Sequence, residues 1–268
     1  KGKNLKEIIL RFFCLERNSI TMKDAWIVSK KELQELLTIF REQKTSYYQI
    51  AIFIGIFGIF MPLSQKEMWM TSFAPLAFII FIPVMLANSV VADSFAGERE
   101  RHTLETLLAT RLPDRAILLG KIMAALIYAW LFAVLILVTS LLTLNLAKGT
   151  PGLFIYSPLL LLVSLAGAAL TSLLAITLGI SVSLRAQSVR AAAQVLNLPF
   201  ILFFLLLGFG LPVLIKALPA NLLQEMSQYL VMIDPLLLAA IPLLLLALVD
   251  SILLALVMRR FHRGRLIT

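Results

Sequence analysis

Apolar residues along this chain fall in long unbroken blocks, and the polar residues gather between them. Six blocks stand out, at about 47–63, 73–92, 116–147, 158–184, 191–215 and 235–258. A run of ~20 apolar residues is long enough to cross a ~30 Å hydrocarbon core as a helix. In lipid, only helices and closed barrels satisfy every backbone donor and acceptor. A barrel strand would alternate apolar and polar residues, and these runs are continuous, so the pattern predicts helices. The expected fold is all-α: a polytopic integral membrane protein with six transmembrane helices. The third block is over-long, which predicts that part of it tilts or projects beyond the bilayer.

A different periodicity appears ahead of the first block. Within 24–44, Trp26, Leu33, Leu36, Leu37 and Phe40 recur at helical spacing, opposite Lys30, Lys31, Glu35 and Glu42. This predicts an amphipathic helix over 22–46 lying in the membrane interface with its apolar face down. Residues 1–21 repeat the pattern more weakly (Leu5, Ile8, Ile9, Phe12, Phe13), and Met22 makes a natural start, so they read as an N-terminal extension. Between the last two blocks, 216–234 is flanked by Pro219 and Pro235 and carries Leu222, Leu223, Met226, Tyr229, Leu230 and Ile233 on one helical face. It is too short to cross and reads as an outer helix dipping into the interface. Residues 259–268 form a basic tail.

Charge then orients the chain. Of 24 Lys and Arg residues, 21 fall in the first 46 residues, the segment after the second block, the start of the third block, Arg185 and Arg190, and the tail. Only Lys66, Lys148 and Lys216 fall on the other side. The positive-inside rule places both termini and segment 93–115 in the cytoplasm. The formal net charge of +9 is therefore topological, and no nucleic-acid partner is expected. One cysteine, Cys14, excludes a disulfide framework and a cysteine-ligated metal site. No metal or other cofactor is expected.

Segment 93–115 is dense in charge between two apolar blocks. Asp93 or Ser94 can cap a helix start, and Thr103 can cap a second helix over Leu104–Ala109. Glu98 and Arg101 are three apart, and Arg101 and Glu105 four apart, so these charges can pair along one face. Leu104, Leu107 and Leu108 supply a small apolar face. Spacing alone equally fits a capped loop whose charges keep it in water.

The string Gly97-Glu98-Arg99-Glu100-Arg101-His102-Thr103-Leu104-Glu105-Thr106-Leu107-Leu108-Ala109-Thr110, followed by Ile117-Leu-Leu-Gly120-Lys121, resembles the signature of permease subunits of type-2 ATP-binding-cassette exporters. His102 stands where that family often has glycine. The resemblance extends over roughly 22–260, through the lead-in helix, six spans and outer helix. It implies that the charged segment is a coupling helix docking onto a separate ATPase subunit through Glu98, Arg99, Glu100, Arg101, Thr103, Leu104, Glu105, Leu107 and Leu108. It also implies a second permease, identical or paralogous, and outward transport across the plasma membrane of a prokaryote. The chain carries no phosphate-binding G-x-x-x-x-G-K-[ST]: Arg115 stands where the first glycine would precede Gly120-Lys121. ATP would thus be bound by the partner, and the chain is expected not to be an enzyme.

Inside the blocks, Asp250 is the one deep charge, and an intramembrane carboxylate is a functional candidate by default. Asn88, Gln194 and Asn197 join it as candidate pathway residues, with interhelical hydrogen bonding as their structural alternative. Gly55-x-x-Gly58 and Gly167-Ala-Ala169 read as close helix packing. A membrane-embedded enzyme is disfavoured by inventory, since the two histidines, His102 and His262, both lie in cytoplasmic segments. A non-transporting scaffold that recruits a soluble partner through 93–115 is the competing reading.

Overall fold

The computed structural model describes residues 22–42, 44–66, 69, 74–103, 112–147, 153, 155–206, 211–219, 222 and 234–260. The described elements are helical throughout, in order α1 (Met22–Glu42), α2 (Lys44–Phe53), a π-helical stretch (Ile54–Phe60), α3 (Met61–Gln65), α4 (Ala74–Glu100), α5 (Asp114–Ala147), α6 (Pro158–Ser183), α7 (Val189–Leu205), α8 (Leu211–Ala217) and α9 (Pro235–Arg260). Of these, α5, α6 and Leu236–Arg259 of α9 are each long and apolar enough to cross a membrane. The 34 residues of α5 extend ~51 Å at 1.5 Å per residue, well beyond the hydrocarbon thickness.

α4 and α6 form the centre, with α5, α7 and α9 packed around them and α1 laid against α5. Small residues set these distances. A Cβ on Gly167 would lie 2.8 Å from Ile80 Cδ1, and one on Gly179 would lie 2.7 Å from Val91 Cγ1, so both glycines let α6 close onto α4. A Cβ on Gly58 would collide with Thr139 Oγ1, and Thr143 donates to the Gly58 carbonyl at 2.9 Å. The π-helical stretch is thereby tied to α5, while Gly55 has open space and does not share the packing role its spacing predicted. One apolar cluster (Trp69, Ile79, Ile82, Phe132, Ile136, Tyr156) fills one end of the bundle. A second (Val91, Phe95, Leu118, Ile122, Ile176, Ile180) fills the end nearer the charged segment.

Two local expectations change. Asp93 and Ser94 start no helix: α4 runs through them to Glu100. Ser94 instead donates to the Val91 carbonyl at 2.7 Å, within its own turn. The backbone bonds of the preceding apolar run simply continue, because nothing at position 92 or 93 interrupts them. In the fifth block, α7 runs to Leu205 and α8 starts at Leu211, and residues 207–210 between them lie outside the described residues. Finally, α1 buries a face its apolar stripe did not mark. Ala25, Val28 and Ser29 pack inward, while Trp26 and Leu37 stay exposed. Small residues win that contact because α5 approaches closely there, and Leu33 and Leu36 of the stripe are half-buried. The extension 1–21, the side chain of Phe40, helix Leu104–Ala109, the face from Leu223 to Ile233 and tail residues 261–268 lie outside the described residues.

Candidate functional site

The charged segment begins as the last two turns of α4, and its end has a physical signature. His102 adopts φ 56°, in the left-handed region. Its N–H donates to the Arg99 carbonyl at 3.1 Å, and the Thr103 N–H reaches back to the Glu98 carbonyl at 2.8 Å. This 5→2 and 6→1 pair is the Schellman arrangement that ends a helix on a left-handed residue, a place glycine fills most cheaply. Histidine tolerates that conformation better than most side chains. The glycine that the resemblance associates with this position is therefore a demand of the helix terminus.

Each charged side chain before that terminus is engaged elsewhere in the chain. Glu98 Oε1 accepts from Lys121 Nζ at 2.9 Å, and Glu32 Oε1 of α1 accepts from the same ammonium at 2.8 Å. The Lys121 side chain is 2 % exposed and lies 5.4 Å from the Phe95 ring centroid, so two carboxylates and an aromatic face compensate its burial. Burial pushes the Glu98 carboxyl above the ordinary carboxylate range. Lys121 opposes that shift and is outweighed. Consistent with this, Glu98 Oε2 is buried without a hydrogen-bond partner. Beside it, a Cβ on Gly120 would sit 2.5 Å from Val28 Cβ and 2.9 Å from the Ala25 carbonyl. The Gly-Lys pair is thus a helix junction: glycine admits α1, and lysine ties α1 to α4.

Arg99 turns the other way. Its Nη1 donates to the Ala186 carbonyl at 2.6 Å and its Nη2 to the Leu184 carbonyl at 2.9 Å, clamping the turn between α6 and α7. Glu100 Oε2 accepts from the first N–H of α7, at Val189, over 3.4 Å. A carboxylate there complements the positive helix N-terminus, which Ser188 also caps through Ala191 N. Ser183 completes the attachment by donating to the Ala92 carbonyl and accepting from Ala96 N, each at 3.1 Å. Arg101 bonds both carboxylate oxygens of Asp93, at 2.9 and 3.1 Å, and does not pair with Glu98. Gly97 makes this possible, because any Cβ there would strike the Asp93 carboxyl.

The segment therefore gathers Glu98, Arg99 and Glu100 into a hub joining α1, α5, the α6–α7 turn and α7. Arg101, His102 and Thr103 form its exposed tip. Leu104, Glu105, Leu107 and Leu108 lie outside the described residues, and with them the predicted Arg101–Glu105 pair. Sequence reasoning missed Glu32 as the second ligand of Lys121. A lysine entering an apolar run was the available signal, since burying it demands a nearby carboxylate.

The intramembrane candidates separate. Asn88, 1 % exposed, donates to the Leu196 carbonyl at 3.3 Å and so bridges α4 to α7. Gln194 is exposed on α7. Asn197 keeps a buried Oδ1 without a partner. Asp250 is 2 % exposed on α9, and neither of its carboxylate oxygens has a hydrogen-bond partner among the described residues. Helix α6, which packs against α9, carries no ionisable residue.

A search of curated proteins finds no match to this chain. The sequence model of one family, described as ABC-2 family transporter protein, matches residues 15–263. That match spans the charged hub and all the described helices, and it carries with it the general role of the family, a membrane-embedded transport subunit served by a partner ATPase. The chain belongs to the ABC-2 family of transporter proteins.

Proposed function

We propose that this chain is the permease of an exporter in which ATP hydrolysis by a separate ATPase subunit drives a substrate outward. Two permeases, identical or paralogous, work with two ATPases. In this reading six helical passes cross the plasma membrane of a prokaryote, with both termini and the charged hub in the cytoplasm, as the distribution of Lys and Arg supports. The chain holds no cofactor of its own, and ATP stays on the partner.

One observation carries the mechanism: the hub bonds to four neighbours at once, through Lys121 and Glu32, through the 184 and 186 carbonyls, and through the α7 N-terminus. A partner seated on Arg101, His102 and Thr103, and on Leu104, Glu105, Leu107 and Leu108 beyond them, pushes along α4. Glu98, Arg99 and Glu100 spread that displacement to α1, α5 and α7. The tip thus serves as the contact and the residues behind it as the transmission. Among the pathway candidates, Asp250 and Asn197 retain unspent oxygen atoms, and Asp250 is the stronger because its burial is nearly complete.

Co-purification with the ATPase, followed by reconstitution, tests this. Glu105→Lys and Leu107→Asp are expected to weaken association by about tenfold or more, the scale of losing a central interface contact. Glu98→Gln is expected to leave association intact and to reduce the response of ATP turnover to substrate. If no ATPase associates, and turnover ignores changes at both Glu98 and Glu105, the scaffold reading replaces this one.

A further inference from the structure

Two cavities run end to end along the bundle. The larger, about 640 Å³, is walled by α4, α6, α7 and α9, with Val84, Leu174, Leu178, Val195 and Pro199 among its lining residues. The smaller, about 210 Å³, is walled by Ile80, Val163, Leu238 and Pro242. They share Thr171 and Leu246, so they form one furrow, open along its side. On α6 its lining runs from Val163 to Val182, which is ~28 Å at 1.5 Å per residue and matches a ~30 Å hydrocarbon core. Both α6 and α9, which bound it, are long and apolar enough to cross a membrane.

The chemistry of the walls narrows the occupant. Among the described residues, no charged side chain lines either cavity. Each of the three polar side chains on the larger wall already bonds a backbone carbonyl: Asn88 that of Leu196, Thr171 that of Gly167 at 2.7 Å, and Ser181 that of Thr177 at 3.2 Å. A polar or ionic guest would lose its water and find few free partners here. An empty furrow would leave its lining without contacts on one side, which forfeits dispersion energy. A helix as long as the furrow occupies ~2,200 Å³ as a cylinder ~10 Å across, so a helix from a second copy would stand on the furrow without filling it. A single extended hydrocarbon chain has the length and the narrowness.

We infer that this furrow is a binding site for one acyl chain of a membrane lipid, held parallel to α6 between α4, α7 and α9. The site is separate from the charged hub and requires no ATPase. Thr171 and Leu246 mark its waist, and Leu178 and Val195, 44 % and 56 % exposed, are its lips.

The test places the photo-reactive residue p-benzoylphenylalanine at Leu178, with Leu135 on α5 as an exposed apolar control outside the furrow. The full chain is irradiated in vesicles of phosphatidylethanolamine and phosphatidylglycerol, and adducts are read by intact mass. Phospholipid adducts are expected at Leu178 in about fivefold excess over Leu135, the ratio that separates a site from bulk lipid. Val195→Trp, which fills the furrow from its opposite lip, is expected to bring the yield down to the control level. Equal yields at the two positions, an undiminished yield after Val195→Trp, or a main adduct at twice the chain mass would each overturn the assignment. The last result would give the furrow to a second copy. Because ATP turnover is not read, failure here leaves the coupling proposal standing.

Discussion

Lys121 and Asp250 are buried to nearly the same degree, 4 % and 2 % exposed, yet the protein treats them in opposite ways. Lys121 sits near the start of α5, where α1 delivers Glu32 and α4 delivers Glu98 and the Phe95 ring. Asp250 lies in the middle of α9, against a helix with no ionisable residue, and both its oxygens are unpartnered among the described residues. A buried charge is tolerable when neighbours replace its water and costly when they do not. The lysine is therefore bound into the fold, while the aspartate finds no such compensation among the described residues.

The strongest way to break this contrast is Lys121→Ala. It leaves two carboxylates buried without their cation, and about 3–5 kcal/mol of stability should be lost, seen as a large fall in unfolding temperature in detergent. A loss below about 1 kcal/mol, the level of an exposed pair, would show that the hub is not a buried ion cluster. Asp250→Leu is expected to act in the opposite direction. Removing an unsatisfied buried group should raise stability by about 1–3 kcal/mol in the same assay. A stability gain accompanied by lost transport would identify Asp250 as functional, whereas a stability loss would reveal a partner and dissolve the comparison.

Smaller effects sharpen the hub side. The raised Glu98 carboxyl means that the folded protein binds more protons than the unfolded chain between the ordinary carboxylate range and the raised value. In that window stability falls as pH rises, and it changes little from this group on either side. Glu98→Gln should flatten that slope in unfolding temperature measured from pH 4 to pH 7, and an unchanged slope would assign the effect to another group. The smallest expected change is at the helix terminus. His102→Gly relieves a left-handed backbone costing about 1–2 kcal/mol and gives back about 0.5–1 kcal/mol of chain entropy. The net gain of about 0.5 kcal/mol should appear as a small rise in the unfolding temperature of the permease alone.

Much of the hub was legible as residue types, and little of it as partnerships. The spacing of Glu98 and Arg101 suggested a pair along one helix face, but Lys121 competes for Glu98, and Gly97 lets Asp93 fold over the helix to Arg101. The Gly-Lys pair stood out in the chain, yet its meaning depended on Val28 and Glu32, about ninety residues earlier. Asn88 behaved as its interhelical alternative foresaw, because an amide in hydrocarbon must find a partner wherever helices cross.

The sequence by itself determined the class of molecule: a helical membrane protein of the ABC-2 transporter family with a charged segment between two of its apolar blocks. Block length, charge bias and a short motif are local quantities, and they survive without coordinates. Only the tertiary structure decided which carboxylates hold Lys121, which face of α1 is buried, and that the polar side chains lining the larger cavity of the furrow are already hydrogen-bonded. Those outcomes depend on which helices approach closely enough to touch, and that distance is set jointly by small residues far apart in the chain.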